Sequence, residues 1–158
     1  MFRPMRRIKQ QMTVEECSEV LQNGRRGVLS VLGDDGYPYG VPLDYQYSPE
    51  AGTLYFHGAK EGHKIDAIKG CDKVSFTVFD EGFCKEDDWA PWVHSVIVFG
   101  RIRIVDDEAE ITEIARGIGM KYYPAEDEVT DILMRTKGRF GALVLTIEHM
   151  SGKLVHEK

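Results

Sequence analysis

The residues best suited to chemistry lie between Tyr55 and Ile65, where the sequence reads YFHGAKEGHKI. This pattern predicts a strand, a turn bounded by Gly58 and Gly62, and the start of a helix. The first N–H groups of a helix have no intrahelical partner, and they face the turn together with the positive end of the helix dipole. With the charges of Lys60 and Lys64 added, the segment suits an anion such as a phosphate. A plain surface connection would have the same composition, so both readings stay open on these residues alone.

Nucleotide hydrolysis is disfavoured because the segment is not a P-loop. That pattern places four residues between its glycines and follows the second glycine with Lys and then Ser or Thr. Here Gly58 and Gly62 are one residue too close, His63 separates Gly62 from Lys64, and Ile65 follows the lysine. The sequence also has no Gly-x-Gly-x-x-Gly between a strand and a helix, which disfavours a dinucleotide fold.

The histidines offer other chemistry. His57 and His63 could form a metal pair, but no third ligand accompanies them at a defined spacing, so we predict no metal site. His57 is instead a candidate hydrogen-bond donor to a ligand, the alternative being a structural histidine. His149 and His156 are expected to be solvent-exposed. No Ser-His-Asp arrangement with elbow spacing is visible, which disfavours hydrolysis.

Composition limits the class of protein. The chain has 158 residues, 42% hydrophobic and 29% charged, which suits one domain over residues 1–158. A net charge of −6 disfavours a nucleic-acid groove, and the basic run within residues 1–12 is interpreted as an N-terminal arm. The sequence contains no apolar span of about 20 residues, so membrane insertion is not predicted. We expect a cytoplasmic protein whose cysteines are reduced thiols: Cys17, Cys71 and Cys84.

The periodicity predicts the elements that must position the turn. Thr13 and Glu16 form a capping-box pattern before a helix that should end near Gly24 and bury Val14, Cys17, Val20 and Leu21. Strands are predicted at 28–32, 39–47, 53–57, 73–79, 94–105 and 142–147. Helices are predicted at 63–69, 107–123 and 126–137, the last two separated by Pro124. Tight turns between most strands indicate a mostly β, α+β fold: an antiparallel barrel of six to seven strands with peripheral helices and a helical insertion at 107–137.

Five segments in order along the chain resemble a known family: GVLSV at 27–31, DGYPYGVPLDY at 35–45, LYFHGA at 54–59, GHK at 62–64 and VSF at 74–76. The set is similar to the flavin-binding split-barrel proteins related to pyridoxamine 5′-phosphate oxidase. Within them it is most similar to the group named after nitroimidazole-resistance reductases. The resemblance covers roughly residues 5–155 and implies a split β-barrel.

The resemblance also implies that flavin mononucleotide (FMN) binds non-covalently at a homodimer interface. The residues that it places along the isoalloxazine ring are Val41, Pro42, Leu43, Asp44 and Tyr45. The residues that it places around the ribityl-phosphate are His57, Gly58, Ala59, Gly62, His63 and Lys64. It places Ser95 and Val96 on an approaching strand that the partner subunit could supply. In the oxidase branch an Arg-Lys pair stands where His63 and Lys64 stand here, so this chain lacks one bidentate phosphate fork.

The function that the resemblance implies is reduction of a small, flat, electron-poor acceptor by reduced flavin, with His57 as candidate donor to the acceptor. The alternative is a flavin- or haem-binding storage protein of the same fold. Pyridoxamine phosphate oxidation is a weaker option, because the Arg-rich C-terminal segment of that enzyme is not evident here. The long segment 80–92, which ends in Trp89-Ala90-Pro91-Trp92, is expected to pack an interface.

Overall fold

The computed structural model describes residues 1–123 and 125–158, and Pro124, predicted to separate two helices, lies outside the described residues. One antiparallel sheet of seven strands curls into a split barrel in the order β2-β1-β5-β6-β7-β4-β3, which confirms the predicted fold. The strands are β1 Arg26–Leu32, β2 Pro38–Asp44, β3 Gln46–Ser48, β4 Thr53–Gly58, β5 Lys73–Phe79, β6 Trp92–Val105 and β7 Gly141–His156. The helices are α1 Val14–Asn23, α2 His63–Gly70, α3 Glu108–Tyr122 and α4 Glu126–Thr136.

Helix α1 begins and ends as predicted. The Thr13 hydroxyl accepts the Glu16 N–H at 3.2 Å, while the Glu16 carboxylate accepts the Thr13 N–H at 2.7 Å, which completes the capping box. Cys17 and Leu21 are buried in the barrel core, as the periodicity requires. The prediction was wrong for Val14, the first residue of α1, which is 65% exposed.

The predicted strand 39–47 is divided at Tyr45 into β2 and β3, which is a correction. The alternation of apolar side chains continues through Tyr45, so the sequence pattern gives no sign of the break. The two strands nevertheless lie at opposite edges of the sheet. A single residue therefore links the two ends of the split barrel.

Strand β7 is much longer than the predicted 142–147. It pairs with β6 from Trp92↔His156 to Val105↔Ala142, with a bulge where Phe99↔His149 is followed by Gly100↔Ile147. The outer half of β7 carries two histidines that are not freely solvated, contrary to prediction. His156 stacks on Trp92 at 4.4 Å and lies 2.8 Å from Asp88. His149 stacks on Phe2 of the N-terminal arm at 4.6 Å.

Of the three apolar clusters among the described residues, two hold the sheet and its neighbours together and the third joins α3 to α4. The first fills the barrel and includes the fully buried Phe56 and Phe76. The second lies outside the sheet, where α3 buries Ile111, Ile114 and Ile118 against β7 and against the last residue of β6. The helical insertion is thus fixed to the outer surface of β4 and β7. No helix in the described part of the chain is long and apolar enough to cross a bilayer.

Candidate functional site

The turn before α2 is shaped by Gly62, whose φ of 114° lies in the left-handed region that favours glycine. The N–H groups of Ile65 and Asp66 bond to the Gly62 carbonyl oxygen at 2.8 and 3.1 Å. Within the described chain, the N–H groups of His63 and Lys64 have no hydrogen-bond partner. The predicted strand, glycine turn and helix start are confirmed, and two backbone donors remain for an anion.

Lys64 brings a positive charge to this turn without a counter-charge. Its side chain is half-buried, forms no ion pair among the described residues, and has its pKa lowered by burial. Its Nζ lies so close to Gly58 that a Cβ built on that glycine would be 3.1 Å away. Lys60 differs, because its ammonium is paired with Glu108 at 2.6 Å. A half-buried ammonium without a carboxylate is electrostatically suited to an incoming anion.

A cavity of about 220 Å³ lies beside this turn. Gly58, Ala59 and Lys64 form one side, and Ile104 and Leu143 of β6 and β7 form the other. Lys69 also lines this cavity, although its position at the end of α2 places it outside the sequence motif. Lys64 and Lys69 therefore line the same cavity, so a substitution of Lys69 cannot serve as an independent control for a substitution of Lys64.

The side chain of His63 turns away from the cavity, towards the β1–β2 connection. Its Nε2 accepts the Asp34 N–H at 3.3 Å, and its ring stacks on Tyr39 at 4.2 Å. Hydrogen-bond acceptance at Nε2 requires the neutral ring in that tautomer. His63 thus fastens α2 to the β1–β2 connection, while its backbone N–H faces the anion-binding turn.

Strand β2 offers backbone groups on one side. It is an edge strand whose only partner in the sheet is β1, so alternate N–H and C=O groups point away from the sheet. Tyr39, Val41 and Leu43 are half-buried, whereas Gly40 and Pro42 are exposed on the opposite face. The edge can donate to and accept from a planar polar ligand, except that Pro42 has no N–H.

Asp44 ends β2 and His57 lies near the end of β4, close enough for the Asp44 charge to act on the His57 ring. Asp44 is bonded to Arg26 at 2.8 Å, and the His57 ring meets Phe140 edge-on with the ring centroids 6.2 Å apart. Although His57 is open to solvent at its rim, desolvation by its neighbours lowers its pKa, with Lys64 acting in the same direction and Asp44 opposing. The lowered pKa favours the neutral ring, which has both a donor and an acceptor nitrogen.

The structure brings Gly58, Ala59 and Lys64 to one cavity, with Gly62 at the start of α2, and the charges of Lys64 and Asp44 both act on His57. Other implied residues lie elsewhere. The side chains of Tyr45 and Val96 are fully buried in the barrel, so neither is presented at a surface. Pro42 lines a separate open groove of about 800 Å³ together with His94, the neighbour of the half-exposed Ser95. The residues implied by the resemblance are thus divided between the cavity at α2 and the outer face of the sheet.

Three residues near this site were missed from the sequence: Phe140, Lys121 and Tyr122. Lys121 and Tyr122 end α3 inside the helical insertion, and Phe140 lies between α4 and β7, just beyond the insertion. Lys121 and Tyr122 both contact Tyr45, which precedes them in the chain by 76 and 77 positions. The Lys-Tyr pair in the last turn of a predicted helix was the only local signal. Among the described residues, no cluster of three or more His, Cys, Asp or Glu side chains could hold a metal ion.

The fold and the anion-binding turn define a split-barrel protein. The family model described as pyridoxamine 5′-phosphate oxidase matches residues 13–154, and the chain belongs to that family. None of the curated protein sequences matches this chain significantly.

Solved structures with the same fold are similar to most of the chain. A candidate 5-nitroimidazole antibiotic resistance protein from Bacteroides thetaiotaomicron is 17% identical, with a TM-score of 0.76, over 92% of this chain and 87% of that one. An FAD-binding protein from Mesorhizobium loti is 25% identical, with a TM-score of 0.67, over 92% and 97%. A flavocytochrome from Azotobacter vinelandii is 18% identical, with a TM-score of 0.68, over 96% and 72%.

Proposed function

We propose that the protein is a homodimeric, FMN-dependent oxidoreductase that reduces a small, flat, electron-poor acceptor such as a nitroaromatic. The observation that carries the proposal is the half-buried ammonium of Lys64, which has no ion pair among the described residues, beside two backbone N–H groups that have no partner there. A phosphate bearing nearly two charges matches this set, each charged hydrogen bond contributing roughly 1.5 to 3 kcal/mol before ordering costs. The printed names of two structural neighbours, an FAD-binding protein and a flavocytochrome, favour a flavin.

The residues present fit FMN at both of its ends. Lys64 and the N–H groups that open α2 would hold the phosphate, and Gly58 and Ala59 would leave room for the ribityl chain. The free edge of β2 at Val41 and Leu43 would bind the polar edge of the ring. When bound, the flavin supplies the hydride or electrons.

His57 would act on the acceptor. Its neutral ring can donate one N–H to a nitro or carbonyl oxygen and so stabilise the negative charge that develops there during reduction. Asp44 and Phe140 would limit the directions in which the ring can turn. The acceptor would lie between His57 and the exposed face of the bound cofactor.

The outer face of the sheet supports a homodimer. Cross-strand register aligns Pro42, Val28, Thr77 and Ile97 in one row. A parallel row contains Gly40, Ser30, Ser75 and Phe99. Ile97 and Phe99 are 39% and 40% exposed, and the small residues beside them leave a flat surface. A second copy packed on these rows would bring its Ser95 towards the flavin and cover the groove at Pro42.

We also infer a cytoplasmic location, since Cys17, Cys71 and Cys84 are all unbonded in the described chain, as expected in a reducing compartment. Cys17 is buried in the core, and Cys84 is exposed. Mass spectrometry of the protein alkylated directly in cell lysate would check this. A disulfide at any of these cysteines would contradict a reducing location.

The spectrum of the purified protein tests the cofactor. Bound flavin gives absorption bands at about 370 and 450 nm, because the isoalloxazine is the chromophore. A Soret band without flavin would overturn the proposal and favour a haem-binding relative, a possibility raised by the name of the flavocytochrome neighbour.

Catalysis needs a second measurement. The flavin is reduced anaerobically and mixed in a stopped-flow instrument with a nitroaromatic, a quinone or buffer alone. Reoxidation faster than in buffer supports an oxidoreductase, and His57→Ala should slow it by about 10²-fold, within the usual range for a general acid. Stable reduced flavin with every acceptor would favour a binding or storage protein.

A further inference from the structure

The junction between β2 and β3 is held by the last turn of α3. Lys121 Nζ donates to the carbonyl oxygens of Gly24 at 2.7 Å and Tyr45 at 3.1 Å. The Tyr122 hydroxyl accepts the Tyr45 N–H at 3.2 Å and lies beside the carbonyl oxygens of Arg25 and Tyr45, one of which takes its proton. Both backbone polar groups of the junction residue are therefore bonded to side chains of the helical insertion.

Tyr45 is also fixed through its own side chain. Its hydroxyl donates to the Leu21 carbonyl oxygen at 2.7 Å, and its ring packs edge-on against Phe76 with centroids 4.9 Å apart. Lys121 Nζ lies 4.0 Å from the centroid of the same ring. Helix α1, the barrel core and α3 thus hold one residue from three directions.

This matters because Tyr45 directly follows β2. As an edge strand, β2 has neighbours in the sheet on one side only, and its last residue, Asp44, is tied to Arg26 at 2.8 Å. The contacts from α3 fix this end of the strand in addition to the bond between Asp44 and Arg26. A displacement of about 1 Å at an edge strand lengthens the hydrogen bonds that it can make to a ligand beyond their useful range.

We propose that Lys121 and Tyr122 are positioning residues for the flavin: they set the place of the β2 edge relative to the isoalloxazine ring and so couple the helical insertion to cofactor affinity. The inference rests on the proposed flavin site. Neither residue needs to touch the cofactor. Their effect is transmitted through the backbone of Tyr45 to the strand before it.

Comparison of FMN with riboflavin, which has no phosphate, tests the proposal. Each ligand is titrated into apoprotein, and Kd is obtained from the quenching of flavin fluorescence. Lys121→Met should raise both Kd values by about tenfold, and Tyr122→Phe by about threefold, since hydrogen bonds that fix the ring-binding strand are lost. Lys64→Met should raise the Kd of FMN alone, because its ligand is the phosphate.

Two further variants separate positioning from general destabilisation. Lys121→Arg keeps a cation that can donate to both carbonyl oxygens and should bind both ligands within about threefold of wild type. Arg116→Met removes the 3.1 Å bond between Arg116 and Thr130 inside the insertion and should leave both Kd values unchanged. If Lys121→Met does not fold, Tyr122→Phe, which removes one oxygen atom, decides the question.

The outcomes are distinguishable. Unchanged Kd values for both ligands in Lys121→Met and Tyr122→Phe would overturn the positioning role while leaving the flavin site intact. An equal weakening by Arg116→Met would also overturn it, because the effect would then belong to the stability of the insertion. Failure of the wild-type protein to bind either ligand would overturn the proposed function and this inference with it.

Discussion

Lys64 and Lys121 are both half-buried, and burial lowers the pKa of both, yet their surroundings are opposite. Lys121 donates to two carbonyl oxygens and lies over an aromatic ring. Lys64 has no ion pair in the described chain and faces a cavity. A buried ammonium whose donors are satisfied stabilises the fold, whereas one without partners costs stability and is suited to a ligand. The two sites therefore should respond to mutation in opposite ways.

The largest expected effect is on ligand affinity at Lys64. Lys64→Met should raise the Kd of FMN by about 100-fold, equivalent to two charged hydrogen bonds, without lowering Tm. The measurement is fluorescence titration beside a thermal melt. Lys9→Met is the control, because Lys9 is exposed and forms no ion pair in the described chain. Lys69→Ala should have a smaller effect than Lys64→Ala, although it lines the same cavity. If Lys64→Met and Lys9→Met lost FMN affinity equally, Lys64 would not be a specific ligand of the phosphate, and its contrast with Lys121 would disappear.

The next effect is on stability at Lys121. Lys121→Met should lower the free energy of unfolding by about 2 kcal/mol, because the Gly24 and Tyr45 carbonyl oxygens lose a charged donor. Urea denaturation of the apoprotein measures it. Lys64→Met in the same experiment should leave the free energy of unfolding unchanged or raise it. Destabilisation of both variants to the same extent would show that Lys64, like Lys121, stabilises the fold and is not free for a ligand.

Two glycines test the same contrast between the surroundings of Lys121 and Lys64 without a change of charge. A Cβ at Gly24 would lie 2.5 Å from the Tyr45 hydroxyl oxygen and 2.7 Å from Val78, so Gly24→Ala should cost about 1 to 3 kcal/mol of stability through overpacking. At Gly58 the nearest atom is the flexible end of Lys64, so Gly58→Ala should cost less than about 0.5 kcal/mol. The urea midpoints of the two variants give the comparison. A Gly58 variant as unstable as the Gly24 variant would contradict an open cavity beside Lys64.

The smallest effect is the pH dependence of the Lys121 contribution. The pKa of Lys121 is lowered from 10.5 to about 8 by burial, with Asp44 opposing. Between these values the unfolded chain binds more protons than the folded one, so this group makes stability increase as pH rises. The destabilisation by Lys121→Met should therefore be larger at pH of about 9.5 than at pH 7, by less than about 1 kcal/mol after solvent screening. A difference that is constant with pH would place the pKa of Lys121 near its ordinary value.

Local patterns predicted those parts of the molecule whose interactions are local. The capping box at Thr13 and the strand–turn–helix at Gly62 depend on neighbours within a few residues, and both are present. The break at Tyr45 depends on α3, some 77 residues further along the chain, and no periodicity shows it. The outer half of β7 lacks alternation and is a strand because β6 supplies its hydrogen-bond partners across a bulge at Gly100.

The same distinction applies to the site. The anion-binding turn is contiguous in sequence and could be predicted from its glycines and lysines. Phe140 and Lys121 could not, because they reach His57 of β4 and Tyr45 only in the folded chain. The resemblance implies that Tyr45 lies along the flavin ring; in the structure its side chain is buried and its backbone N–H is bonded to Tyr122, which no local pattern indicates.

The strand order also has a consequence for synthesis on the ribosome. Among the described residues, the β3–β4 hairpin joins the rest of the sheet only through β7, which is the seventh strand in sequence order and pairs with both β4 and β6. While residues 141–156 remain in the exit tunnel, β4 and β6 both have an unpaired edge, which exposes a nascent chain to misassembly. Barrel closure must therefore wait until residues 141–156 have left the tunnel, and chaperones that cover the open edges of β4 and β6 until then should raise the yield of folded protein.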